Sequence, residues 1–216
     1  MSCCCSSIGA AAERQFGEKR ATKDLANYRT KGPGSTARLL LAGIAKVGQP
    51  HGRLLDIGSG VGALTFELVK LGLTEAIGID LSSAYVAAAT AEAARRGRTD
   101  SVRFVHGDFV GIASQFLAAD VVTLDRVVCC YAEYEPLLEE SARHAARCFA
   151  ISYPRNVWYV RVWVGLQNVA RQLCRNPFRT FVHSASAVEH VIRRAGFELV
   201  IRSCTRTWCA DVYRHL

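Results

Sequence analysis

From Arg53 onward the chain alternates short apolar runs with longer segments whose apolar residues recur at helical spacing. RLLDIG is followed by ALTFELVKLG, EAIGID by SAYVAAATAEAARRG, and SVRFVHGD closes the series. Strands alternating with helices at this spacing predict parallel strands joined by crossover helices, hence a layered α/β sheet. The pattern continues with ADVVTLD as a fourth strand, PLLEESARHAAR as a helix and CFAISYP as a fifth strand. Pro136 suits the first turn of that helix, with Glu133 and Glu135 near its start and Arg143, His144 and Arg147 near its end.

Past Pro154, the amphipathic stretch Val157 to Cys174 predicts a long helix, and in FVHSASAVEHVIRRAGF the residues Ser186 and Glu189 have capping-box spacing. FELVIRSCTRTWCADVYRHL holds two strand-like runs too close together for a crossover, which predicts an antiparallel hairpin at the sheet edge. Ahead of the sheet, Ala10 to Ala26 and Ser35 to Val47 read as helices divided by NYRTKGPGS. The expected fold is a doubly wound, Rossmann-like three-layer sandwich on a seven-stranded, mostly parallel sheet with an antiparallel C-terminal hairpin. Residues 1–50 are expected to form a helical cap with a loose extreme N-terminus, and residues 51–216 the ligand-binding domain.

Composition narrows the class. A chain of 216 residues, half of them apolar, can bury one full core. No uncharged apolar run reaches the roughly 18 residues of a membrane span, and Arg161 interrupts the best candidate, NVWYVRVWVGLQNVA. There are nine cysteines, yet Met1 is followed by SCCCSSIGA, with neither a basic nor an apolar leader region. Reduced thiols and a cytoplasmic location are therefore expected, with Cys3 to Cys5 a frayed, unmodified terminus. The formal charge of +8 raises nucleic acid as a partner. Its arginines are scattered, with pairs at Arg95/Arg96 and Arg193/Arg194 near helix ends, so a basic surface is the preferred reading and nucleic acid is not favoured.

Candidate chemistry begins at LLDIGSGVGAL, Leu54 to Leu64, a strand running into Gly58, Gly60 and Gly62 and then a helix. Glycines there let the backbone turn sharply and approach a ligand closely, and the helix start presents N–H groups. The spacing of Gly58, Gly60 and Ala63 also satisfies a dinucleotide-binding fingerprint. Asp80 closes the second strand about twenty residues later, where an acid can accept hydrogen bonds from ribose hydroxyls. Asp108, after His106 and Gly107, is placed to receive an adenine amino group. For either aspartate alone a capping or loop role is the plainer reading; together with the glycine turn they converge on one ligand edge.

With these residues the chain resembles the class I S-adenosylmethionine-dependent methyltransferases over about Arg53 to His215. DIGSGVGAL resembles the first motif of that family, Asp80 its ribose-binding acid, GDF its adenine-side motif and ADVVTLDRVV its fourth-strand motif. NYRTKGPGSTARLLL and SYPRNVWYVRVWVGLQN resemble a bacterial small-molecule branch and, more distantly, magnesium-protoporphyrin O-methyltransferases. The resemblance implies S-adenosylmethionine as cofactor, with Asp56, Gly58, Ser59, Gly60 and Gly62 around its methionine part. Asp80 and Leu81 would stand at the ribose and Gly107, Asp108 and Phe109 near the adenine. Asp56 also argues against a dinucleotide, since a carboxylate repels a pyrophosphate and favours a sulfonium or ammonium.

In a doubly wound sheet, ligands lie outside the carboxyl ends of the strands where the order reverses. That puts Asp125, which also counts as a cofactor-side candidate, Arg126 and VVCCYAEYE in the crevice wall. Methyl transfer needs a base only if the acceptor must lose a proton, and Asp125, Tyr131, His183 and Tyr28 are the candidates. Asp125 and Tyr131 are the preferred pocket residues. Cys129 and Cys130 lack metal-ligand or redox spacing and do not follow a proline, so they read as wall residues, and no metal site is expected. The aromatic and arginine-bearing stretch Val157 to Cys174 could cover the acceptor pocket, pack against the sheet or a dimer partner, or meet a membrane surface. The expected partner is a small-molecule acceptor methylated at O or N; the alternatives are RNA methylation and a non-catalytic cofactor-binding module.

Overall fold

The computed structural model describes residues 5–216. Strands β1 (Arg53–Ile57), β2 (Glu75–Asp80), β3 (Val102–His106), β4 (Ala119–Asp125), β5 (Ala145–Pro154), β6 (Phe197–Cys204) and β7 (Trp208–His215) form one sheet in the order β3-β2-β1-β4-β5-β7-β6. β1 to β5 pair in parallel, and β7 inserts antiparallel between β5 and β6. This is the expected Rossmann-like fold, with its order reversing between β1 and β4.

Helices α1 (Cys5–Gln15), α2 (Glu18–Lys31) and α3 (Ser35–Val47) precede the sheet. They are followed by α4 (Ala63–Lys70), α5 (Ser83–Arg95), α6 (Phe109–Ile112), α7 (Glu135–Arg143), α8 (Trp158–Leu173) and α9 (Ala185–Arg194). The strands are apolar on both sides because both are covered. Leu54, Val121, Cys148 and Ala150 pack with Leu40, Ile44, Leu68 and Ala89 of α3, α4 and α5. The alternate residues Leu55, Ile57, Val122, Leu124 and Phe149 pack with Leu137, Leu138, Val188 and Ile192 of α7 and α9. Asp56 and Thr123 interrupt this apolar run side by side, in register with each other.

Several local expectations are corrected. The helix expected over Ala10 to Ala26 is two helices broken at Phe16–Gly17, and α2 runs on through NYRTK to Lys31, where Gly32 at φ 74° stops it. The break lets the Phe16 carbonyl accept from the Ser82 hydroxyl at 2.7 Å, which an unbroken helix would have spent internally. The capping box does not form: Ser184 precedes α9, the Ser186 hydroxyl meets that of Ser184, and Glu189 accepts from Arg193 and Arg202. The thiols are not all reduced, since Cys204 and Cys209 form a disulfide. The hairpin register sets them opposite each other, with Cα atoms 4.1 Å apart. The expectations for the extreme N-terminus, Cys3 and Cys4 included, fall outside the described residues.

Candidate active site

The glycine turn begins where β1 ends. Gly58 and Ser59 donate their N–H groups to the Ile79 carbonyl at 2.7 and 3.0 Å, tying the turn to the end of β2. Gly58 has φ 68°, and a Cβ there would stand 2.2 Å from Val127 Cγ2, so two independent constraints exclude a side chain. The Gly60 N–H donates to Asp80 Oδ2 and the Ser82 N–H to Oδ1, each at 2.8 Å. Burial raises the Asp80 carboxyl above its ordinary value and the two backbone bonds oppose the rise. In the turn, the Ser59 hydroxyl, close against Gly78, is the one buried side-chain polar atom without a partner among the described residues. An orphaned hydroxyl in a glycine cradle beside a carboxylate is the donor and acceptor set that a nucleoside with a polar tail needs.

Asp56 is buried beneath this turn. It accepts from the Thr65 hydroxyl at 2.6 Å and from the Thr123 hydroxyl at 2.7 Å. Burial pushes its carboxyl up to about 6 against those two bonds, with Asp125 and Asp80 adding repulsion. Neither Thr65 nor Thr123 is singled out by the sequence as a partner of Asp56, and only the register of β1 with β4 brings the second of them into place.

After β3, Gly107 and Phe109 border the cleft together with Leu81. Asp108 caps α6, accepting from the Val110 N–H at 3.3 Å, and also receives the Tyr131 hydroxyl at 3.1 Å. That is the plainer of its two expected roles. α1 reaches the same edge, where Glu13 accepts from the Ser83 N–H at 2.9 Å and lies 3.2 Å from His106 Nε2.

At the ends of β4 and β5, Asp125 and Ser152 are paired in register. The Ser152 hydroxyl donates to Asp125 Oδ1 at 2.5 Å and accepts the Arg126 N–H at 2.9 Å. Burial raises the Asp125 carboxyl. Arg126, at φ 65°, places its guanidinium 4.8 Å from the centre of the Trp208 ring. Asp56, Gly58, Ser59, Gly60, Asp80, Leu81, Gly107, Phe109, Asp125 and Tyr131 border one cleft of about 1120 Å³; Gly62 and Asp108 lie outside its lining. Gly62 instead turns the chain into α4 at φ 77°, packed against Phe66 and Phe104.

The other base candidates are engaged elsewhere. His183 Nε2 donates to the Val128 and Tyr131 carbonyls at 3.1 and 3.0 Å, tethering the loop after β4, and burial lowers its pKa. The Tyr28 hydroxyl donates to Glu67 at 2.8 Å, and burial raises its pKa. Burial and Asp108 raise the Tyr131 phenol far above its ordinary value, so it keeps its proton. Cys129 and Cys130 both turn their sulfurs toward the Arg126 carbonyl, at 3.4 and 3.8 Å. Contact with Cys129, with burial added, pushes the Cys130 thiol well up, so it is not a poised nucleophile. Among the described residues no group of three or more metal-ligating side chains comes together.

Residues 54–150 match the family profile described as "Methyltransferase domain". This segment is an S-adenosylmethionine-dependent methyltransferase domain of class I. No curated protein sequence matches the chain. Among solved structures, it is similar to magnesium protoporphyrin IX methyltransferase from Synechocystis PCC 6803 with bound S-adenosylhomocysteine. The identity is 18%, the TM-score 0.73, and 97% of this chain and 100% of that one are covered. The N-methyltransferase NodS from Bradyrhizobium japonicum WM9 is 16% identical, with TM-score 0.63 over 92% of this chain and 97% of that one. The cyclase SpnF is 14% identical, with TM-score 0.68 over 96% of each chain. At these identities the likeness is one of fold, and a cyclase among the neighbours shows that the fold does not choose the reaction.

Proposed function

We propose that this methyltransferase domain transfers a methyl group to an oxygen or nitrogen of a small-molecule acceptor, with residues 1–50 capping the catalytic unit formed by 51–216. The carrying observation is one continuous cleft. The glycine turn, Asp56, Asp80, Asp125, Arg126, Trp208 and the inner face of α8 all border it. In this reading Gly58, Ser59, Gly60 and Gly62 shape the cradle for S-adenosylmethionine, Asp80 and Leu81 hold its ribose, and Gly107 and Phe109 form its adenine edge, with Asp108 holding the turn behind them through Val110 and Tyr131. Bound S-adenosylmethionine supplies an already activated methyl on a sulfonium, so the chain's own task is to orient the acceptor and exclude water.

Asp125 has the raised carboxyl suited to take a proton from an acceptor hydroxyl or amine, with Ser152 holding its orientation. Tyr131 keeps its proton and acts as a positioning residue, joining the loop after β4 to the adenine-side turn. Lys31, Arg38, Arg126 and Arg171 border the cleft along with Tyr159, Trp163 and Trp208. That mixture suits an apolar or amphiphilic acceptor carrying an anionic group.

Titration calorimetry with S-adenosylhomocysteine tests the cofactor end. Wild type should bind saturably and Asp80→Ala should bind roughly tenfold to a hundredfold more weakly, the worth of charge-assisted hydrogen bonds. Because Asp80 also receives two backbone N–H groups, Asp80→Asn serves as the milder control. Mass spectrometry of a metabolite extract incubated with the protein and isotopically labelled methyl donor identifies the acceptor. Intact cofactor binding with no labelled product would overturn the transfer reading in favour of a binding module.

A further inference from the structure

α8 has two apolar faces, and the fold uses one. Val160 and Val164 are buried, and Gln167 and Arg171 on the same side border the cleft. On the opposite side Trp158, Val162, Leu166, Val169 and Leu173 recur at steps of four, four, three and four residues, which places them on one stripe. The stripe is about 22 Å long. Seven of the eleven large hydrophobic side chains exposed among the described residues belong to this one helix, with Trp158 77% and Leu173 80% exposed. Exposed apolar surface this concentrated marks an interaction site.

Charge identifies the occupant. From Ser141 to Val188 the chain has seven arginines and no aspartate or glutamate. Arg155 and Arg161 stand at the start of α8 and Arg175 just past its end. Arg206 joins them, because the Tyr159 hydroxyl donates to the Arg206 carbonyl at 2.6 Å and so draws the β6–β7 turn to the helix. None of these four takes part in an ion pair among the described residues. A second copy docked through this face would bring the arginines of the two α8 segments together, and the stretch from Ser141 to Val188 holds no carboxylate to pair them. An anionic lipid surface answers both features: its acyl boundary takes the apolar stripe, its headgroup phosphates take the guanidiniums, and tryptophan favours the interface between them.

We propose that the outer face of α8, ringed by Arg155, Arg161, Arg175 and Arg206, seats the protein on an anionic lipid surface. The seating is peripheral, since no helix among the described residues is long and apolar enough to cross a membrane. Tyr159 and Trp163 of the same helix border the cleft, so the docked protein holds one wall of its cleft at the lipid boundary. The proposal concerns the surface alone and stands whichever acceptor the cleft takes.

The test is co-sedimentation of the full chain with phosphatidylcholine vesicles, with and without phosphatidylglycerol, read together with tryptophan emission. Partition onto the phosphatidylglycerol vesicles, a blue shift on binding and release by high salt are expected. The double variant Leu166→Glu/Leu173→Glu should lose vesicle partition by roughly a hundredfold, since each substitution removes the burial of one leucine. Both side chains lie outside the cleft lining, so its S-adenosylhomocysteine affinity should match wild type and report a folded protein. No partition onto phosphatidylglycerol vesicles, or equal partition by the double variant, would overturn the proposal. A wild-type dimer in sedimentation velocity that the double variant dissolves would instead assign the face to a second copy.

Discussion

Asp56 holds a carboxyl group away from water, with both oxygens occupied by threonine hydroxyls. Its pKa is raised from 3.8 to about 6, chiefly by burial. For an acid raised in the folded state the sign is unfavourable: stability is lost as pH climbs from 3.8 to about 6 and is then constant. A cationic ligand favours the ionised form. The affinity for S-adenosylmethionine should therefore fall by roughly tenfold as pH drops from about 7 to about 5, and Asp56→Asn should flatten the profile. Calorimetry across that range checks it; a flat wild-type profile would separate Asp56 from the cofactor. Thr123→Val keeps the shape of the side chain and removes one donor, leaving a buried carboxylate oxygen unpaired. Urea unfolding should show a loss of about 1–3 kcal/mol.

At the scale of elements, polar contacts tie α2 to α5 in addition to the apolar packing of Ala21, Tyr28, Leu40 and Ile44 in the core. Glu92 of α5, with its side chain fully buried, receives Arg29 of α2 at 2.6 Å, and Arg95 and Arg96 of its own helix at 2.6 and 2.7 Å. The Tyr85 hydroxyl donates to Asp24 at 2.5 Å, a second tie between the same helices. The guanidiniums keep the Glu92 carboxyl far below its ordinary range. Glu92→Gln should cost about 2 kcal/mol at neutral pH, less than a wholly enclosed pair because Arg29 and Arg95 are about half exposed. Since the folded pKa is depressed, the contribution is complete above the ordinary glutamate pKa of 4.5 and fades below it. The gap between wild type and variant should narrow in urea melts as pH falls toward about 2. An unchanged gap would mean that Glu92 acts through packing alone.

For the molecule as a whole, the cleft is assembled from both ends of the chain: α1 and α2, the glycine turn, the loop after β4, α8 and the β6–β7 turn all border it. A ligand bound there links elements remote in sequence, and binding to the native state alone stabilises it by mass action. At a hundredfold excess over its dissociation constant, S-adenosylhomocysteine should add about 2.7 kcal/mol and raise Tm by about 5–10 °C. Differential scanning fluorimetry checks it, with Asp80→Ala losing most of the shift. A full shift in that variant would place the ligand somewhere other than the end of β2.

The strands, the crossover helices and the glycine turn were legible in the sequence because each depends on residues within one turn or one strand of each other. β1 to β5 read as apolar runs since parallel strands are covered on both sides, and Gly58, Gly60 and Gly62 are recognisable since glycine adopts left-handed backbone angles without strain. Tertiary structure decided what needed a distant partner. The disulfide depends on the β6–β7 register that sets Cys204 against Cys209. The break at Phe16 depends on Ser82, and the acidity of Asp56 depends on a threonine one strand away. His183 is one of four base candidates by sequence, and only the fold brings it to two carbonyls of the loop after β4. Periodicity records how a segment meets its immediate surroundings, whereas the protonation state and pairing of a buried polar group are set by neighbours that the chain brings close only on folding.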